Sequence, residues 1–166
     1  MQSYRELRQM KKTFIFILTA IILLVGCAPK AEDIIPLGVS TEEIALEIMS
    51  AVEIPSAVQK TKDELNIYIN GLDNVTGGYE VSYYICGSGA YPDELLIIRF
   101  DEPAEAENAK PLVQARLDSR KDDFRDYRPE EMYKLDSAVL EVNSNWLFYF
   151  VTEDNATAKA ILDTYY

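Results

Sequence analysis

Two thiols and no imidazole bound the chemistry open to this chain. Cys27 and Cys86 are its only cysteines, and its 166 residues contain no histidine. That removes Ser-His-Asp and Cys-His nucleophiles, histidine zinc ligands and imidazole pH switches. Two cysteines alone do not complete a structural zinc site. Carboxylates are the next resource. Asp118, Asp122 and Asp126 recur every four residues, which puts them on one face of a helix. Hard cations favour such oxygen ligands. Here, however, Arg120, Lys121, Arg125 and Arg128 are interleaved with them, and no Asp-x-Asp-x-Asp-Gly loop occurs. The pattern is that of a solvated, salt-bridged face, so neither metal nor cofactor is expected.

Two further groups carry polar chemistry. Gly87-Ser88-Gly89 has no P-loop lysine and does not lead into a helix, so it reads as a hairpin loop. Of 11 tyrosines, Tyr79, Tyr83, Tyr84 and Tyr91 gather around that loop. They suit a contact surface, or a core with hydroxyls at its rim. Cys86 ends an apolar run with no basic residue near it in sequence, which predicts a buried strand-end thiol.

Cys27 stands in a different setting. Arg5, Arg8, Lys11 and Lys12 precede Thr13–Val25, a run of 13 residues apolar except for Thr13 and Thr19. A span of the hydrocarbon core needs about 20 apolar residues, so this run matches a signal-peptide core. It ends in Leu24-Val25-Gly26-Cys27, which resembles the lipobox of bacterial lipoproteins. That resemblance implies cleavage between Gly26 and Cys27 and diacylglycerol on the Cys27 sulfur. Two acyl chains make a stable anchor where one holds only marginally. Residues 1–26 then form a leader, 27–39 a Pro- and Gly-containing tether, and 40–166 a single domain.

The net charge is −12, from 16 basic and 28 acidic residues. Residues 1–26 hold four of the bases and one acid, so the chain from Cys27 onward stands at −15. Such a domain is repelled by phosphate backbones and anionic headgroups, which excludes nucleic acid as a partner and leaves membrane attachment to the lipid.

The elements that must position any site follow from pattern. Ser40, with Glu43 three residues on, predicts a capped helix that stops before Pro55, with Ile44, Ile48 and Ala51 on one stripe. Residues 56–76 are ambiguous, with a short turn at 62–66 and a short strand at 66–70 as readings. Residues 79–86 and 94–100 read as strands around the glycine loop. Leu95-Leu96-Ile97-Ile98 lacks alternation, which predicts burial on both faces. Asp101-Glu102-Pro103 starts a long helix to about Asp126, kinked or broken at Pro111. Tyr127-Arg128-Pro129 ends it, and residues 130–134 add a short turn. Residues 137–142 and 146–152 read as a second hairpin, with 146–151 a central strand. A last helix is capped by Glu153 or Asp154. The fold class is therefore α+β: an antiparallel sheet of about four strands in two hairpins, a long helix between them, and flanking N- and C-terminal helices.

With the lipobox, the segments Asp93–Ile98, Arg116–Arg120, Tyr127-Arg128-Pro129-Glu130 and the final hairpin together resemble a family of uncharacterised Firmicutes-type bacterial lipoproteins, known as a domain of unknown function. The resemblance spans residues 41–166. It implies an extracytoplasmic, membrane-tethered α+β domain and transfers no catalytic residue. Tyr127 and Pro129 are the positional candidates for a partner contact, against a purely structural role in ending the helix. The expected function is a non-enzymatic binding or structural domain of the cell envelope, with an envelope protein or wall polymer as partner. A small-ligand accessory of a transporter and a carboxylate-based wall enzyme are the alternatives.

Overall fold

The computed structural model describes Ile35, residues 38–75 and residues 77–166. Helix α1 spans Thr41–Ala51, and the Ser40 hydroxyl accepts the Glu43 N–H at 3.1 Å, closing the first turn. Ile44, Ala45 and Ile48 are fully buried on its inner stripe. Ala51, expected on that stripe, is exposed, and Val52 is buried in its stead as the chain leaves the helix.

Five strands form one antiparallel sheet: β1 (Ala57–Lys60), β2 (Tyr79–Cys86), β3 (Glu94–Phe100), β4 (Val139–Asn143) and β5 (Trp146–Val151), in the order β1-β2-β3-β5-β4. The expectation of about four strands missed β1. Its Ala57, Val58 and Gln59 are exposed, so it has no buried face to show in sequence. It exists because its backbone pairs with β2, Ala57 opposite Cys86 and Lys60 opposite Tyr83. The strand read at residues 66–70 is likewise replaced. A 3₁₀ turn at Lys62–Glu64 runs into the short helix α2 (Leu65–Tyr68), which turns Leu65 and Ile69 into the core. These two apolar residues stand four apart, the helical spacing.

Helix α3 (Pro103–Tyr127) is continuous through Pro111. Pro111 and Glu107, the residue whose carbonyl it leaves without a helical N–H, are both exposed, so water can serve that carbonyl. Glu102 is the N-cap residue but forms no side-chain cap bond, and Asp101 instead accepts the Gly78 N–H at 2.9 Å. A 3₁₀ turn at Pro129–Glu131 leads to helix α4 (Met132–Asp136). Helix α5 (Asn155–Leu162) is capped by Asp154, which accepts the Thr157 N–H at 3.0 Å.

Alternation along the strands divides two cores. Leu96, Ile98, Leu147, Tyr149 and Tyr83 face α3 with Ala106, Ala109, Val113, Leu117 and Phe124. Leu95, Ile97, Phe148, Phe150 and Tyr84 face α1 and α5 with Ile44, Ile48, Ala158 and Leu162. The double burial expected for residues 95–98 is thus explained by helices on both sheet faces. Among the described residues no helix is long and apolar enough to cross a membrane.

Candidate functional site

Glu94 is the first residue of β3 and lies two positions before Leu96, so the pleat aims it at the α3 face. There it is only 1% exposed. Its neighbours are fixed by register. Tyr83 stands opposite Leu96 on β2, and Tyr149 stands opposite Leu96 on β5, so both are diagonal to Glu94. The Tyr83 hydroxyl donates to Glu94 Oε2 at 2.6 Å, and the Tyr149 hydroxyl donates to Oε1 at 2.9 Å. Burial first, and the adjacent carboxylate second, push both phenols above their ordinary range. Both therefore keep their protons as donors.

Helix α3 supplies the compensating charge. Arg116 gives Nε and Nη2 to Glu94 Oε2, each at 3.3 Å. Burial alone would lower the Arg116 pKa, but the Glu94 carboxylate opposes it and the net shift is upward. Arg120, one turn on, places Nε 3.8 Å from Glu94 Oε1 and donates Nη2 to the Tyr91 carbonyl at 3.4 Å. Its Nε is buried and makes no hydrogen bond. One carboxylate thus lies between two guanidinium groups.

These arginines form one wall of a cavity of about 230 Å³ under the β2–β3 loop. Tyr68, Ile85, Cys86, Gly89, Tyr91 and Asp93 complete it. Gly89 adopts φ +66°, the left-handed region that lets the loop turn over the cavity. Gly87 packs where a Cβ would lie 2.6 Å from Val58 Cγ2 and 2.8 Å from the Ser56 carbonyl, so this loop must approach β1 without a side chain.

A second charged cluster adjoins the first. Lys134 Nζ, on α4, lies 3.1 Å from Asp93 Oδ2, 3.0 Å from Glu131 Oε2 and 3.2 Å from Glu153 Oε2. Burial opposes the ammonium, but the three carboxylates prevail and hold its pKa well above the ordinary lysine range. Three acids share one cation, so burial lifts the Asp93 carboxyl above its ordinary value despite Lys134. Asn155 ties α5 to this cluster by donating to the Lys134 carbonyl at 2.9 Å.

The residues singled out from sequence fall in several places. Gly26 and Cys27, with the rest of the segment read as leader (1–26) and most of that read as tether (27–39), lie outside the described residues. Tyr127 and Pro129 are both exposed and do not line the cavity. Tyr127 packs edge-on against Phe124 at 6.0 Å. Arg128, between them, reaches the loop, donating to the Ala90 carbonyl at 3.1 Å and covering the Tyr91 ring at 4.7 Å. Asp122 pairs with Arg125 at 2.9 Å on the exposed face of α3, and Asp118 accepts from Gln114. Among the described residues, no group of three or more His, Cys, Asp or Glu is placed to hold a metal ion. Cys86 is buried at the end of β2, as its position predicted. Burial pushes its thiol up, but the Ser88 hydroxyl and the Ser88 and Tyr91 backbone hydrogen bonds outweigh that and lower it.

The tyrosines divide by face: Tyr83 serves Glu94, whereas Tyr84 donates to Glu42 of α1 on the opposite side of the sheet. Glu94, Arg116, Arg120 and Tyr149 were not recognised from sequence as a site. The available signal was an acid at the head of an otherwise apolar strand.

The fold and site define a three-layer α/β/α domain with a carboxylate–arginine cluster buried between the sheet and its longest helix. The chain belongs to the DUF4358 family, a domain of unknown function, matched over residues 52–152. That segment runs from the end of α1 through β5 and contains every group of the cluster and its cavity. No curated protein and no solved structure matches the chain.

Proposed function

We propose that this protein is a membrane-anchored, extracytoplasmic lipoprotein whose domain binds without catalysing a reaction. The anchor is Cys27, with diacylglycerol on its sulfur and cleavage at the Gly26–Cys27 bond, and the reading of a Firmicutes-type lipoprotein rests on that sequence. The observation that carries the binding role is the cavity walled by Arg116 and Arg120, in which each carboxylate is already held. Glu94 accepts from two phenols and Arg116, and Asp93 accepts from Lys134. A glycosidase acid–base pair needs two carboxyls free to exchange protons across a cleft. Carboxylates engaged in this way suit a fixed recognition surface better than proton transfer.

The partner is an envelope protein or wall polymer at the outer membrane face. Tyr127 and Pro129, exposed on either side of Arg128, which itself reaches the loop over the cavity, suit the rim of that contact. Crosslinking in intact cells tests the reading. Capture of one partner by the wild-type chain, lost on substitution of Tyr127 by Ala, is the expected result. Recovery of uncrosslinked chain alone would contradict it. A second reading, a small-ligand accessory of a transporter, is favoured by the size of the cavity, about 230 Å³, and by its two arginines.

A further inference from the structure

The geometry points to a small monocarboxylate as the ligand of the cavity between α3 and the β2–β3 loop, its carboxylate bridging Arg116 and Arg120. This deepens the small-ligand form of the binding-module reading and rests on it.

Charge identifies the class. Two guanidinium groups and two carboxylates line the space. Asp93 is answered from outside by Lys134, at 3.1 and 3.3 Å to its two oxygens. Glu94 then stands alone against Arg116 and Arg120. Asp123 adds little, because it is 63% exposed and 3.9 Å from Arg120 Nη1. Lys134 is shared with Glu131 and Glu153 as well, so the surplus is local to the arginine wall, where two guanidinium groups face one carboxylate; that wall matches a monoanion and not a phosphate dianion.

Donor geometry agrees. Each guanidinium carries five N–H bonds in a planar fork suited to carboxylate. Glu94 engages the Nε and Nη2 edge of Arg116, and Arg120 Nε is buried with no acceptor. A buried donor without an acceptor costs about 1–3 kcal/mol, which a ligand carboxylate would recover.

Size and lining complete the description. A cavity of about 230 Å³ lies below the range of about 300–1,000 Å³ that holds drug-sized ligands. Ile85 and the rings of Tyr68 and Tyr91 offer an apolar wall for a short hydrocarbon part. Arg116 lies 5.7 Å from the Tyr68 ring centre, so that ring also helps to hold the arginine in place.

Calorimetric titration of the purified full-length chain with benzoate, acetate, benzamide and inorganic phosphate tests the assignment. Saturable one-site binding of benzoate, weaker binding of acetate and none of benzamide is expected. Arg120→Gln should weaken benzoate by about tenfold or more, the worth of a charged hydrogen bond. Tyr68→Leu, which leaves every charge in place, should weaken benzoate more than acetate and guards against a folding defect in the arginine variant. Arg125→Gln, on the exposed face of α3, should change nothing. Equal binding of benzamide, tighter binding of phosphate, no saturable binding, or an undiminished Arg120→Gln would each overturn the assignment. Absence of benzoate binding alongside a crosslinked envelope partner would remove this ligand and leave the binding module standing. Turnover of any substrate would remove the module reading instead.

Discussion

The Tyr83 hydroxyl donates to Glu94 Oε2 at 2.6 Å across adjacent strands, on the face of the sheet that α3 covers. A buried acid is tolerated there because donors arrive from β2, β5 and α3 together. Removing any donor exposes the charge to an apolar interior, which makes the cluster a sensitive reporter of the packing between sheet and helix.

Glu94→Gln keeps the shape and removes the charge, leaving Arg116 without its ion partner. Breaking a buried pair from one side costs about 3–5 kcal/mol. The urea midpoint should fall accordingly with unchanged slope. A loss below about 1 kcal/mol would mean that water already serves this site.

Tyr83→Phe and Tyr149→Phe each delete one hydroxyl that donates to a charged acceptor, at about 1.5–3 kcal/mol apiece. Both act on one carboxylate, so the double variant should depart from the sum of the singles. Strict additivity in urea unfolding would contradict a shared acceptor.

Pro111→Ala restores one hydrogen bond on the solvent side of α3. Proline inside a helix costs about 3 kcal/mol, part of which it returns by restricting the unfolded chain. The variant should gain about 2 kcal/mol in chemical denaturation. Destabilisation would show that α3 needs a bend here to lie on the sheet.

Acid stability follows from the shifted carboxyls. The Thr157 hydroxyl and N–H hold Asp154 below its ordinary value, Tyr133 and Lys134 do so for Glu153, the Thr61 backbone and hydroxyl for Glu64, and the Glu130 backbone and Arg128 for Glu130. Lowered folded values contribute stability that is present above about pH 4 and lost as pH falls through them. Asp93 has the opposite sign. Its folded value is raised, so its ionisation costs stability that returns when it is protonated. Four lowered groups against one raised group predict a decline below about pH 4. Asp154→Asn keeps an oxygen for the Thr157 N–H but does not titrate, so the urea midpoint should fall less steeply on acidification. An unchanged acid limb would contradict the assignment.

The ends of β2 and β3 were legible because a glycine loop and continuous apolar runs bound them. Strand β1 was not, since Ala57-Val58-Gln59-Lys60 buries little and takes its form from β2. Residues 66–70 misled because Ile67 and Ile69 alternate like a strand, yet Ile67 is 78% exposed and the buried pair is Leu65 and Ile69. The site was hidden for another reason. Tyr83, Arg116 and Tyr149 stand 11, 22 and 55 residues from Glu94, and only the strand order and the return of α3 bring them together. The Cys27 proposal is of the reverse kind, resting on a local motif and on no part of the fold.

Labelling of cells with radioactive palmitate, followed by membrane fractionation, tests the tethered module most directly. Cys86 is the only other thiol, so Cys27→Ala and Cys86→Ser form a complete pair. Label and membrane association are expected in the wild type and in Cys86→Ser, and the loss of both in Cys27→Ala. Label that persists in Cys27→Ala, or a wild-type chain that fractionates with soluble protein, would contradict it.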